Sequence, residues 1–281
     1  MKREFTRRSV VLGGLLALSM APVAINGQTA TGVGEGGSEY RLKSPSGKPA
    51  PRTADGKPDL SGVWGGPSDG PQHIGRDIPG HVLPYTPAGA AAYQDNLNKN
   101  IDPSALCILQ GVPRAILSAQ PFEIFQKPNR VAVLYERDTS WKIVPVDGRQ
   151  HPKDPEPSYF GDAVGRWDGD VFIIDSTAFK GTKIWADETA HPQSDALHLI
   201  ERLTRPDLDH LVDNVTIDDP KYYTKPITFK RTFRLLPYEL IEQACAENNL
   251  DRDHIGAGLG TKDGTRGYTK ADPSPSAAPK Q

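Results

Sequence analysis

The sequence predicts a mainly β protein, an antiparallel up-and-down meander forming a barrel or strongly curved sheet of about eight strands, with an irregular N-terminal segment and one short helix. Three observations lead there. Among 281 residues, 27 are Gly and 26 are Pro, nearly one in five. That density of helix breakers excludes a bundle and points to turns and strands. From Phe122 onward, short β-prone runs follow one another, joined mostly by turn-forming dipeptides. Asp168-Gly169, flanked by two such runs, is the strongest hairpin signal in the chain. Closure is favoured because it removes unpaired strand edges; a sandwich is the competing arrangement.

The elements are read in chain order. Lys2, Arg3, Arg7 and Arg8 precede the apolar stretch Val10–Ala24, which is too short to span a bilayer. Thr6-Arg7-Arg8-Ser9-Val10-Val11 resembles a twin-arginine export signal. Residues 1–27 are therefore read as a signal peptide, with cleavage between Ala24 and Ala30 and the export machinery as a partner. Residues 28–58 read as a flexible tether. Gly32-Val33-Gly34-Glu35-Gly36-Gly37 matches a dinucleotide fingerprint by letter only, since no strand precedes it and no helix follows. A single β-rich domain is expected over 59–250. It opens with Leu60–Trp64 as a strand or anchor. Thr86-Pro87 starts a helix running to about Lys99, with Thr as N-cap and Pro at the first helical position. Residues 101–120 are loop-like. Then come runs at 122–126, 130–136, 140–146, 163–167, 170–179, 196–204, 208–217 and 223–235, with Tyr238–Ala246 closing the series. Residues 251–281 read as a disordered tail.

The whole chain carries 33 basic and 35 acidic side chains, a formal charge of -2. Such a balance disfavours nucleic acid as a partner. Beyond the signal no apolar run reaches membrane-spanning length, so no membrane association is expected after cleavage. The expected location is the periplasm. Cys107 and Cys245 lack zinc-binding spacing and, in an exported chain, read as one disulfide; two buried free thiols are the alternative. The loop-entropy argument gives such a link about 5 kcal/mol.

Arg52-Thr53-Ala54-Asp55-Gly56-Lys57-Pro58-Asp59-Leu60-Ser61-Gly62-Val63-Trp64, Gly111-Val112-Pro113-Arg114, Gly165-Arg166-Trp167-Asp168-Gly169-Asp170 and His191-Pro192-Gln193-Ser194-Asp195-Ala196-Leu197-His198 resemble segments of a large family of exported bacterial proteins of unassigned function. The likeness covers most of residues 50–250 and implies no chemistry. More loosely, a meander of this length resembles lipocalin-like barrels, a likeness of fold alone.

Protease and NTPase motifs are absent from the sequence, so catalysis must come from dispersed acid–base groups. One candidate group is His191, Ser194, Asp195, His198 and Glu201. Strand alternation puts His198 on one face with Ala196, Ile200 and Arg202, and Glu201 on the other among three leucines. Glu201 there is a buried carboxylate in need of a partner. The second group is the proline-stiffened loop 151–162, with His151, Asp154 and Tyr159. If the strands alternate, the 147–162 and 180–195 connections emerge at one end, and His151, Asp154 and Tyr159 face His191 and His198 across one mouth. Trp185, Phe179, Tyr135, Trp141 and Arg166 are candidates for holding substrate. His73, His81, His210 and His254 read as isolated surface histidines.

The expected function is an exported enzyme with His-centred acid–base chemistry, a lyase, isomerase or hydrolase, acting on a small, partly apolar or aromatic molecule. The alternatives are a non-catalytic carrier of a small apolar ligand, and a metal-dependent enzyme using His191, His198 and His151. No cofactor is predicted, and a metal ion stays open as an alternative.

Overall fold

The computed structural model describes residues 46–65, 72–181 and 184–247. The signal segment, residues 28–45, the glycine-rich Gly32–Gly37 run, His254 and the tail lie outside them. Nine strands form one sheet: β1 (Gly62–Gly65), β2 (Phe122–Lys127), β3 (Arg130–Tyr135), β4 (Ser140–Pro145), β5 (Asp162–Asp168), β6 (Val171–Thr177), β7 (His198–Thr204), β8 (His210–Asp218) and β9 (Ile227–Leu235). Their order is β4-β3-β2-β1-β9-β8-β7-β6-β5, and every registered pair is antiparallel. Two meanders, β1–β4 and β5–β9, are thus joined where the short β1 pairs with both β2 and β9. The result is a nearly closed, barrel-like wall whose end strands β4 and β5 come together.

An odd number of strands has a directional consequence. Reversing direction at each of the eight antiparallel pairs leaves β4 and β5 pointing the same way. The expectation that the strands at 140–146 and 163–167 alternate is therefore corrected, and the reason is the ninth strand, β1. The 146–161 connection starts at the rim where β4 ends and arrives at the opposite rim, where β5 begins. We call this second rim the upper one; β6 and β8 end there, and β7 and β9 begin there. Gly165 in β5 permits the close seam, since a Cβ there would fall 2.8 Å from both the Phe172 ring and a Val144 methyl.

Alternation along the strands fills the interior with Trp64, Phe172, Leu199, Val215 and Phe233, all essentially inaccessible to water. A salt bridge shares that interior. Lys142 of β4 reaches Glu201 of β7, and both side chains are buried. Asp213 of β8 lies close enough that burial and the Glu201 charge hold its carboxyl well above the usual range.

The helix expected after Thr86 is α1 (Pro87–Asn98), and the Thr86 hydroxyl accepts from Gly89 N at 3.0 Å. A second, four-residue helix, α2 (Arg114–Leu117), lies in the stretch read as loop. Residues 46–58, assigned to the flexible tether, are laid against the wall: Arg52 pairs with Asp170 at 2.5 Å and Leu208 N donates to Lys48 O at 3.0 Å. Tyr238–Ala246 is not a strand. β1 already occupies the free side of β9, and the segment instead crosses the β3–β4 turn, where the Thr139 hydroxyl donates to Gln243 O at 2.9 Å. Cys107 and Cys245 form the expected disulfide, with Cα atoms 5.5 Å apart. It ties the 101–110 loop to this crossing segment rather than to a last strand. Among the described residues no helix is long and apolar enough to cross a membrane.

Candidate active site

Three chain segments meet at the upper rim: the β6–β7 connection, the β8–β9 connection, and residues 72–98. Close approach depends on Gly89, where a Cβ would fall 2.0 Å from Tyr222 O. Thr86 N donates to Tyr222 O at 2.9 Å and Thr224 N to Pro84 O at 2.8 Å, so the start of α1 is stitched to the β8–β9 connection. The β6–β7 connection is pinned from several sides. The Tyr223 hydroxyl donates to Pro192 O at 2.6 Å, Ser194 N donates to Asp219 at 2.6 Å, and Asn96 of α1 donates to Ala190 O at 3.0 Å. Ala190 sits in the left-handed region, φ 70°, a conformation costing about 1–3 kcal/mol that the surrounding bonds must sustain.

That backbone presents His191. Its Nδ1 lies 2.5 Å from Asp187 Oδ2 and 3.0 Å from the Thr189 hydroxyl. Asp187 is fully buried. It also accepts from Ile74 N at 2.8 Å, and from Thr189 N and the Thr189 hydroxyl at 2.9 Å each. Burial pushes its carboxyl up, but the His191 bond and charge and the backbone N–H groups outweigh burial and leave it below the ordinary range. Asp187 is thus a fixed anion that holds Nδ1–H. In the neutral ring this leaves Nε2 as the basic nitrogen, and Nε2 has no hydrogen-bond partner among the described residues.

Aromatic rings surround this imidazole. Tyr93 stacks on it with centroids 5.1 Å apart, and Tyr85 lies at 6.4 Å, itself stacked between Tyr93 and Tyr223. The Tyr85 hydroxyl is buried without a partner. Burial first, then the nearby Tyr93 and Asp187, push its pKa far up, so it remains a neutral donor. His73 lies 5.9 Å from His191, its Nδ1 also buried and unpartnered. Burial depresses its pKa and keeps it neutral.

The other predicted site residues divide differently. His151 and His198 do come together, but on the outer face of β5–β7. Both Nε2 atoms point at Asp175 Oδ1, at 3.2 and 2.8 Å, while His151 Nδ1 lies 2.6 Å from Asp162. Both His151 nitrogens face carboxylates, an arrangement that suits the doubly protonated ring. Burial lowers its pKa, but the two aspartates more than reverse that. Arg166 is exposed on this face, 4.0 Å from Asp175. The expected assembly of His151, His198 and His191 at one mouth is not formed, because His151 and His198 turn outward and His191 turns toward α1. Accordingly, the three-histidine metal set is not assembled; among the described residues no group of three or more His, Cys, Asp or Glu is placed to hold a metal ion.

Glu201 is an interior ion-pair partner of Lys142, away from the rim. Asp154 is exposed and makes no hydrogen bond among the described residues. Tyr159 carries Lys180 over its ring at 4.6 Å. Phe179 and Tyr135 are core residues, and Tyr135 stacks on Phe160. Trp185 packs under the Arg114 guanidinium, and Trp141 faces outward, 65 % exposed. Sequence reasoning missed Asp187, Tyr85, Tyr93 and Asn96, and it set His73 aside as a surface residue. The four-residue spacing of Asp187 and His191 was the one legible clue.

The chain matches no family model, no curated protein and no solved structure.

Proposed function

We propose that this is an exported, periplasmic enzyme that abstracts a proton from a small, partly aromatic or apolar molecule, in a lyase or isomerase reaction. His191 is the general base. The observation that carries the reading is the buried Asp187 holding His191 Nδ1, with Nε2 unpartnered and the unpartnered Tyr85 hydroxyl on a ring whose centroid lies 6.4 Å from the imidazole. A base and a neutral donor on neighbouring rings suit removal of a proton next to a carbonyl. Nε2 takes the proton, and Tyr85 hydrogen-bonds the oxygen on which charge develops. Tyr93 offers a flat apolar wall. Asp187 does not touch substrate; it fixes the ring and stabilises the imidazolium that forms.

The interior packing favours an enzyme over a carrier, because Trp64, Phe172 and Phe233 occupy the space that a ligand would need inside the barrel. The basic, apolar N-terminus and the disulfide support export. The test is deuterium exchange into a panel of cyclic ketones and hydroxycarbonyl compounds, followed by NMR. One α-proton should exchange stereospecifically, and the rate should collapse in His191→Ala but not in His198→Ala. Exchange that survives His191→Ala refutes the assignment.

A further inference from the structure

On an ordinary barrel wall the outward side chains are polar. The outer face of β2–β4 departs from that rule. Cross-strand registers lay it out as three rows: Glu123–Leu134–Trp141 nearest the upper rim, then Phe125–Ala132–Ile143, then Lys127–Arg130–Pro145. Phe125, Trp141 and Ile143 are 48, 65 and 42 % exposed. A contiguous apolar face on one three-stranded region marks an interaction surface rather than scattered surface hydrophobics.

The charges on this face are polarised. Lys127 and Arg130 lie at its lower end. Glu123 lies at its upper end, where burial and then the neighbouring Glu239 charge raise its pKa. None of Glu123, Lys127 and Arg130 has an ion-pair partner among the described residues. Two acids crowded together without a cation form half of an electrostatic contact.

We infer that this face binds a second copy of the chain, packed face to face about a two-fold axis lying along the middle row. The operation reverses strand direction. It sets Phe125, Ala132 and Ile143 each against its own equivalent and lays Trp141 over Pro145 of the second copy. It also brings Glu123 against Lys127 of the second copy, twice. The alternative axis, parallel to the strands along β3, would set Arg130 against its own equivalent and leave Glu123 over Trp141, and is disfavoured by charge. The face offers nine residues, fewer than the roughly twenty a side of a standard interface, so a weak dimer is expected, populated at about 0.1 mM protein.

Sedimentation velocity over a concentration series tests this with the mature protein. The unmodified chain should shift from monomer to dimer near that concentration. Ile143→Lys, on the axis, should weaken association at least about tenfold by placing two cations together. Glu123→Lys should weaken it as well, and Glu123→Lys with Lys127→Glu should restore it, which a damaged fold would not do. A protein that stays monomeric, a dimer indifferent to Ile143→Lys, or a charge swap that fails to rescue would each overturn the inference. None of these outcomes depends on His191, so the result stands apart from the proposed chemistry.

Discussion

Among the described residues aspartate meets histidine at the upper rim, on the outer wall and at the Asp207–His210 turn, and the contrast between the first two separates chemistry from structure. At the upper rim, Asp187 is fully buried and holds one nitrogen of His191, leaving the other free among tyrosines. On the outer wall, Asp175 is shared by two histidines, and His151 spends both nitrogens on carboxylates. A ring with both nitrogens engaged is an ionic clip between the 146–161 connection and strands β5 and β6. His191, with one nitrogen anchored on a fully buried anion and the other free, is a positioned base. The residue types are the same in both places; His198 also keeps one nitrogen unengaged, but its carboxylate is part-exposed, whereas Asp187 is fully buried and aromatic rings surround His191.

The sharpest way to break that distinction is substitution. His191→Ala and Asp187→Asn should each lower turnover by about 10²–10⁴-fold, while His198→Ala should change it little, as steady-state kinetics would read. Equal losses at His191 and His198 would erase the contrast. Another buried carboxylate, Glu201, serves as the structural control. Lys142→Ala strands it in the interior and should cost about 3–5 kcal/mol in denaturant unfolding, with the active-site geometry intact in the folded fraction. Tyr85→Phe should act in opposite directions on two readouts. Removing a buried hydroxyl without a partner should leave stability unchanged or raised, yet lower turnover by about 10²-fold.

The smallest effect concerns the clip. The folded His151 pKa is raised above its ordinary 6.5, so its stabilisation is complete below that value and fades as pH rises through the folded one. Burial raises Asp175, but hydrogen bonds from His198 and His151 prevail, and the net shift is downward from 3.8. Its contribution is present above that value and fades as pH falls through the folded one. His151→Ala should therefore lower Tm by about 2 °C in mildly acidic buffer and by progressively less toward alkaline pH. A deficit that grows with pH would contradict the clip.

Much of the fold could be read from sequence because strands and turns are local. Asp168-Gly169 forms its hairpin, and Thr86 caps its helix. The segment after Leu235 misled, since its alternation did not reveal that β1 already flanks β9. The site was only half legible. His191 stood out by type, but its partners are 98 to 118 residues away in Tyr93 and His73, and nothing local signals that α1 folds across the β6–β7 connection. Gly89 permits that crossing, and in the sequence it is one glycine among 27.

The claim that His191 is a base oriented by Asp187 is tested most directly by its tautomer. In protein labelled with ¹⁵N-histidine, long-range proton–nitrogen correlation should show the neutral His191 ring protonated at Nδ1 and bare at Nε2, and Asp187→Asn should abolish that preference. A neutral ring protonated at Nε2 would contradict the account.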